Sequence, residues 1–353
     1  FRPTSSYEGA FKRRDADGNV LDNDDSPEYG IYFAPREYNM PAIICNKDLF
    51  NEFEIEIPKD DENWTFDAFV DLLHSINEKI NEKAEINSEY LKYRGIELNQ
   101  TWEAIYTTIM NHFESDGLFK KDENGDVYSN LKDEKNIEIF ETIIDSFGEG
   151  AYLKAIDQEA GVQFTSGRIF MATGSYPEVR NFINADGCKN LDFLPFPTDY
   201  VGAGCGGYAV FADKVFNKNS KGQRTELKTQ TVDGVTKNTM DICWDFLTYM
   251  MSKDGQNLCG KEALIQPIRK SLTTTGEWLT SLDENLNHGA FAKKLELNLD
   301  TFNFAEPDKR TYLRSGISVL FENLFSADAT KINIPNYINQ ANGLIRKGGV
   351  TVK

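Results

Sequence analysis

The chain has 353 residues, more than one ordinary core accommodates, which predicts two lobes. It is 40% hydrophobic, 12% aromatic and 27% charged, a globular composition, and no apolar run reaches the roughly eighteen residues that span a bilayer. A net charge of −18 argues against a nucleic-acid partner, because phosphate must be neutralised by Lys and Arg.

The sequence starts at Phe1, without Met or a signal peptide, and its first thirty residues are polar and turn-rich. They read as a mid-protein segment, so the expectation is a fragment of a longer protein. Residues 15–30 form an acidic loop or hairpin tip. Residues 31–34 are extended and stop at Pro35; a polar link follows, then a second extended piece from Ala42 to Cys45. Asn46-Lys47-Asp48 opens a short helix through Phe53. Thr65 caps a helix whose stripe is Phe66, Phe69, Leu72, Leu73 and Ile76. Helices are predicted from Trp102 and from Asn136, the latter ended by glycines at 148 and 150, with a short strand at Val127 after a DENG turn. The stretch FTSGRIFMATGSYPEV, Phe164 to Val179, reads as a buried strand that ends on Thr173, Gly174 and Ser175, with Tyr176 exposed behind them. Asp192 to Pro197 is a strand stopped by prolines. Tyr208 to Phe211 is a strand, KTQTVDGVTKNT a hairpin turning at Asp233-Gly234, and MDICWDFLTYMMSKDGQNLC one amphipathic helix. Two more helices run from Thr311 and from Ile334. Strands alternate with helices, so the class is α/β.

Chemical motifs are few. GAGCGG at 202–207 satisfies G-x-G-x-x-G, but a loop precedes it and a strand follows, where a phosphate site needs a strand before and a helix after. Its glycines point instead to close backbone approach, at a ligand or at a hinge. Asp122, Asn124, Asp126 and Asn130 fall at calcium-loop positions, yet Val127 replaces the required glycine and Asp133 the final glutamate, leaving a solvated hairpin turn. The three histidines, His74, His112 and His288, lack metal spacing. Cys45, Cys188, Cys205, Cys243 and Cys259 are odd in number and form no zinc pattern, so they read as small buried hydrophobes without disulfides. No metal or cofactor is expected, and no nucleophile or paired-carboxylate signature marks an enzyme. Aromatics remain: Tyr38, Trp102, Tyr176, Tyr208 and Tyr312 fall near element ends, where a ring can stack on the apolar face of a sugar. Trp64, Trp244 and Trp278 read as packing residues.

In order along the chain, YGIYFAPREYNMPAIICNKDLF, NWTFDAF, FTSGRIFMATGSY, LPFPTD, GAGCGGYAVFADKV, FLTYMMSKDGQ and ALIQPIRKSL resemble the extracellular solute-binding proteins of bacterial ABC importers, the sugar-binding family that includes maltose-binding protein. The resemblance implies a type II periplasmic-binding-protein-like α/β fold of two lobes, joined by crossings at 36–42, 203–207 and 265–269. It places 1–38 and 206–266 in the first lobe and 39–205 and 267–353 in the second. Ligand would be trapped between the lobes. Asn39 resembles the position of a sugar-contacting carboxylate, here an amide; Tyr176 and Tyr312 resemble stacking aromatics, and Trp102 is a looser match. With Tyr38, Gly206, Gly207 and Tyr208 these form the expected ligand site. The implied protein is an exported monomer, periplasmic or membrane-anchored as a lipoprotein. It captures a carbohydrate without chemistry and passes it to ABC-transporter membrane subunits. A carbohydrate-active hydrolase and a ligand-presenting sensor subunit are the alternatives. Two departures stand out. Cys45 replaces a common tyrosine, and the family's N-terminal region of several βα units, each about 30 residues, has no counterpart here, so the first lobe is expected to be incomplete.

Overall fold

The computed structural model describes residues 34–98, 103–124, 126–147, 153–154, 163–297, 307–326 and 328–352. The acidic loop at 15–30, the extended residues 31–33, Trp102 and the glycines at 148 and 150 lie outside these. The chain divides into two compact units. One comprises Phe1–Tyr38 and Cys205–Ser281, the other Asn39–Gly204 and Leu282–Lys353. The expected division placed 267–281 in the second lobe. It clusters with the first unit because Trp278 is fully buried there: its indole N–H donates to the Leu272 carbonyl at 2.8 Å, and Asn257 and Glu277 exchange hydrogen bonds of 2.6 and 2.7 Å.

The second unit is built on a five-stranded sheet in the order Leu153–Lys154, Arg94–Glu97, Ile169–Gly174, Ala42–Asn46, Leu191–Pro195. Arg94–Glu97 runs parallel to both its neighbours, whereas Ala42–Asn46 pairs antiparallel on both sides. Every residue of Ala42–Asn46 and Ile169–Gly174 is buried, which explains their near-continuous apolar runs: covered on both faces, these strands need no polar alternation. The Phe66–Ile86 helix starts where Thr65 Oγ1 accepts the Ala68 N–H at 3.2 Å, and it buries Phe66, Phe69, Leu72, Leu73, Ile76 and Ile80. Each such side chain contributes about 1.5–3 kcal/mol over leaving it in water. Trp64 locks this helix's entry to the sheet through a 2.8 Å hydrogen bond to the Pro195 carbonyl. The Pro307–Leu324 and Ile334–Lys347 helices pack together; a Cβ on Gly316 would lie 2.6 Å from Ile345 Cγ1, so glycine sets their approach.

The first unit is thinner. Among the described residues its strands make only two-stranded sheets: Ala34–Asn39 with Gly204–Tyr208, Phe216–Lys218 with Arg224–Leu227, and Thr229–Val232 with Val235–Asn238. The last is the predicted hairpin, with Asp233 at φ 51° and Gly234 at φ 79°, as a tight hairpin turn requires. Three expectations are corrected. Strand runs through Pro35 and the supposed polar link as far as Asn39. The glycines at 204, 206 and 207 are themselves strand, while Ala209–Phe211 is not. The single helix from Met240 is two, Thr239–Met251 and Lys253–Ala263, because Ser252 leaves helical geometry and its hydroxyl accepts the Gly255 N–H at 3.1 Å to start the second.

Candidate functional site

In the second unit the strand Ile169–Gly174 turns directly into the Tyr176–Ile183 helix. Ser175 caps that helix, and the Glu178 carboxylate accepts the Ser175 N–H at 2.6 Å and its hydroxyl at 2.9 Å. A Cβ on Gly174 would lie 3.1 Å from Ile44 Cδ1 and 3.3 Å from Glu178 Oε2. The small residues therefore make room for a tight strand-to-helix turn. Tyr176, expected to be an exposed stacking platform, has 0% exposure. Its ring lies edge-on to Phe291 at 5.2 Å and to His288 at 5.7 Å, and its hydroxyl sits 2.8 Å from His288 Nδ1. His288 Nε2 lies 2.8 Å from the Asp283 carbonyl, which can only accept. Nε2 therefore carries the proton, and Nδ1 accepts from Tyr176. Burial lowers the His288 pKa, opposed by Asp283. A ring enclosed in this way has no free face to offer a sugar; the first residue of this helix points back onto the His288–Phe291 turn, a partner 112 residues away that sequence does not signal.

In the first unit the glycine strand serves a polar cluster. Glu37 is 7% exposed and ion-paired with Arg36. A Cβ on Gly206 would sit 2.1 Å from Glu37 Oε1, so any side chain there would displace this carboxylate. The Arg36 guanidinium lies 5.6 Å from the centroid of the Tyr208 ring, which is also edge-on to Phe246 at 5.8 Å. Burial lowers the Arg36 pKa, but Glu37 and Tyr208 outweigh it and hold the guanidinium above its ordinary value; burial raises the Tyr208 phenol, with Arg36 opposing. The Arg36 carbonyl accepts from Gln256 Nε2 at 2.7 Å, and Gln256 Oε1 takes the Ile268 N–H at 2.9 Å. Arg36 Nε and Gln266 Oε1 are buried and have no hydrogen-bond partner among the described residues. What the cluster presents is the partly exposed Tyr208 ring beside the partly exposed Arg36 guanidinium.

The structure therefore brings Gly206, Gly207 and Tyr208 together on one strand beside Arg36 and Glu37, and leaves Tyr176 in the core. Sequence reading missed Arg36, Glu37, Gln256 and Gln266; the first two were legible only as a polar link. Tyr38 and Asn39 end the Ala34–Asn39 strand, and the Tyr38 side chain, like Trp102, is outside the described residues. Tyr312 lies on the Pro307–Leu324 helix, 39% exposed, with its Cβ against Gly348. The Gly204–Tyr208 strand opens no helix that could hold a pyrophosphate. Asp122 Oδ1 accepts the N–H groups of Asn124 and Asp126 at 2.9 and 3.0 Å, making a hairpin turn, and among the described residues no His, Cys, Asp or Glu group is arranged for a metal.

No protein-family model matches the sequence, and no curated protein is significantly similar to it. Solved structures do match. An ABC substrate-binding protein of Listeria monocytogenes, solved with cycloalternan, is 13% identical at TM-score 0.53, over 97% of this chain and 77% of that one. A cyclo/maltodextrin-binding protein complexed with maltotetraose is 13% identical at TM-score 0.58, over 98% and 76%. The cyclic alpha-maltosyl-1,6-maltose binding protein of Arthrobacter globiformis is 15% identical at TM-score 0.56, over 95% and 79%. At these identities the likeness establishes the fold: a type II periplasmic-binding-protein-like α/β fold, of which the chain spans about three quarters.

Proposed function

We propose that the chain is the substrate-binding component of an ABC importer, capturing a carbohydrate, specifically an oligosaccharide, and delivering it to membrane subunits outside the cytoplasm. The observation that carries this reading is that three solved neighbours, each matched over nearly all of this chain, are carbohydrate binders, one in complex with cycloalternan, one with maltotetraose and one a cyclic alpha-maltosyl-1,6-maltose binding protein. The local chemistry supports it. Sugar hydroxyls both donate and accept, and so can pair with the partly exposed Arg36 guanidinium. The rings of Tyr208 and Tyr312, both partly exposed, suit the apolar faces of a pyranose. Tyr38, Trp102, Gly206 and Gly207 belong to the same proposed site, and Tyr176 does not. Capture of this kind makes and breaks no bond.

Thermal unfolding in the presence of maltotetraose, a cyclic glucan, glucose 6-phosphate and spermidine tests the proposal. A ligand at a hundred times its Kd stabilises by about 2.7 kcal/mol, a rise of roughly 2–4 °C or less for a chain of this size. A shift with a neutral oligosaccharide supports the reading. Silence with both glucans and a shift with spermidine or the sugar phosphate would keep the fold and discard carbohydrate capture.

A further inference from the structure

Arg36 and Glu37 are consecutive in the Ala34–Asn39 strand, where neighbouring side chains ordinarily leave on opposite faces. They nonetheless form an ion pair, Arg36 Nη2 to Glu37 Oε1. That same oxygen occupies the space a Cβ on Gly206 would take, so the bare backbone of the paired strand lets the carboxylate lie beside its neighbour's guanidinium. The guanidinium also bonds to the Tyr208 hydroxyl. The Glu37 side chain is 10% exposed and the Arg36 side chain 32%, so the cation is the more accessible member of the pair. Few charges act here. The Tyr208 phenol and the Cys259 thiol, which borders the cluster from the Lys253–Ala263 helix, both feel Arg36 and Glu37, and among the described residues no other charged side chain. One positive and one negative charge leave the cluster neutral inside a chain of net charge −18.

We propose that Glu37 is a specificity-determining residue of the sugar site: by cancelling the Arg36 charge beside the Tyr208 ring, it selects uncharged oligosaccharides over those that carry a carboxylate. The inference rests on the carbohydrate reading and goes beyond it, naming the residue that decides ligand charge. A lone guanidinium beside an aromatic ring suits a uronate, because its planar fork meets a carboxylate with two N–H donors. With Glu37 in place, part of that fork is already engaged by one carboxylate. A second would sit against a like charge, the arrangement by which binding sites turn away wrong partners. A neutral sugar meets neither obstacle. Its hydroxyls accept from the N–H groups that Glu37 leaves, and its pyranose face stacks on a ring. The selectivity is therefore written at two positions: Glu37 supplies the charge, and Gly206 the room for it.

The test is isothermal titration calorimetry, at low and high salt, with maltotetraose and two acidic forms of it. One is oxidised to the carboxylate at its reducing end; the other carries glucuronate as its non-reducing residue. The unaltered protein should bind maltotetraose tighter than either acid by about tenfold or more. Glu37→Gln removes the charge and keeps the shape. It should shift the ratio of affinities toward at least one acid by about tenfold or more, and the shift should shrink as salt is raised. Arg36→Gln should move the ratio the other way. Equal affinities or a preference for an acid in the unaltered protein, or a ratio that neither variant moves, would overturn the role of Glu37 and leave carbohydrate capture standing. Absence of binding of all three sugars to every form would overturn the carbohydrate reading, and the proposal would fall with it. The preference of the unaltered protein needs no substitution, so the proposal stays falsifiable where a variant unfolds.

Discussion

Replacing Tyr176 by Phe removes one oxygen and keeps the ring that packs edge-on to Phe291. His288 Nδ1 then becomes a buried acceptor without a donor, in a residue 2% exposed. The imidazole cannot escape by moving its proton, because Nε2 must keep donating to the Asp283 carbonyl 2.8 Å away. An orphaned buried acceptor costs about 1–3 kcal/mol, and that sets the expected loss of stability in the second unit. Tyr176→Ala adds a ring-sized cavity and should cost about 3–5 kcal/mol. Hydrogen exchange of the Ile169–Gly174 strand reads this unit directly, without assuming that the two units unfold together. Oligosaccharide affinity of the folded Tyr176→Phe protein should be unchanged. A loss of stability below about 0.5 kcal/mol combined with a tenfold or greater loss of sugar affinity would place the ring at the ligand, and the reasoning would be wrong.

Gly206→Ala should destabilise the first unit by about 1–3 kcal/mol through overpacking against Glu37, and the second change Glu37→Ala should recover part of it; independent, additive effects in urea melts would show that the two side chains do not meet. Burial lowers the pKa values of His288 and His112, the latter stacked on Phe66 at 4.2 Å. Between those depressed values and the unfolded value near 6.5 the unfolded chain binds more protons, so stability falls as pH drops below about 6.5; Tm should decline from about pH 7 to 5.5, and His112→Gln should flatten the slope. Burial pushes the Cys188 thiol up to about 11 and raises Cys45 further, so iodoacetamide at neutral pH should leave both unmodified by mass spectrometry until the protein unfolds.

The sequence alone determined the α/β class, the cap at Thr65, the Asp233-Gly234 hairpin and the buried strand ending at Gly174, because each rests on a local pattern. Side-chain alternation, capping hydrogen bonds and turn dihedrals act within a few residues, and one sequence records them. The ordered motifs also carried the two-lobed fold that the solved neighbours share. What lay beyond reach depended on residues distant in the chain. Tyr176 reads as exposed until His288, 112 positions later, closes over it. Gly206 reads as a loop glycine until Glu37 fills the space its missing Cβ leaves. Trp244 reads as core, since any apolar helix does, and only tertiary structure shows it 68% exposed. Burial is a property of what arrives from elsewhere, so a sequence can state which surface wants covering and cannot state whether anything covers it.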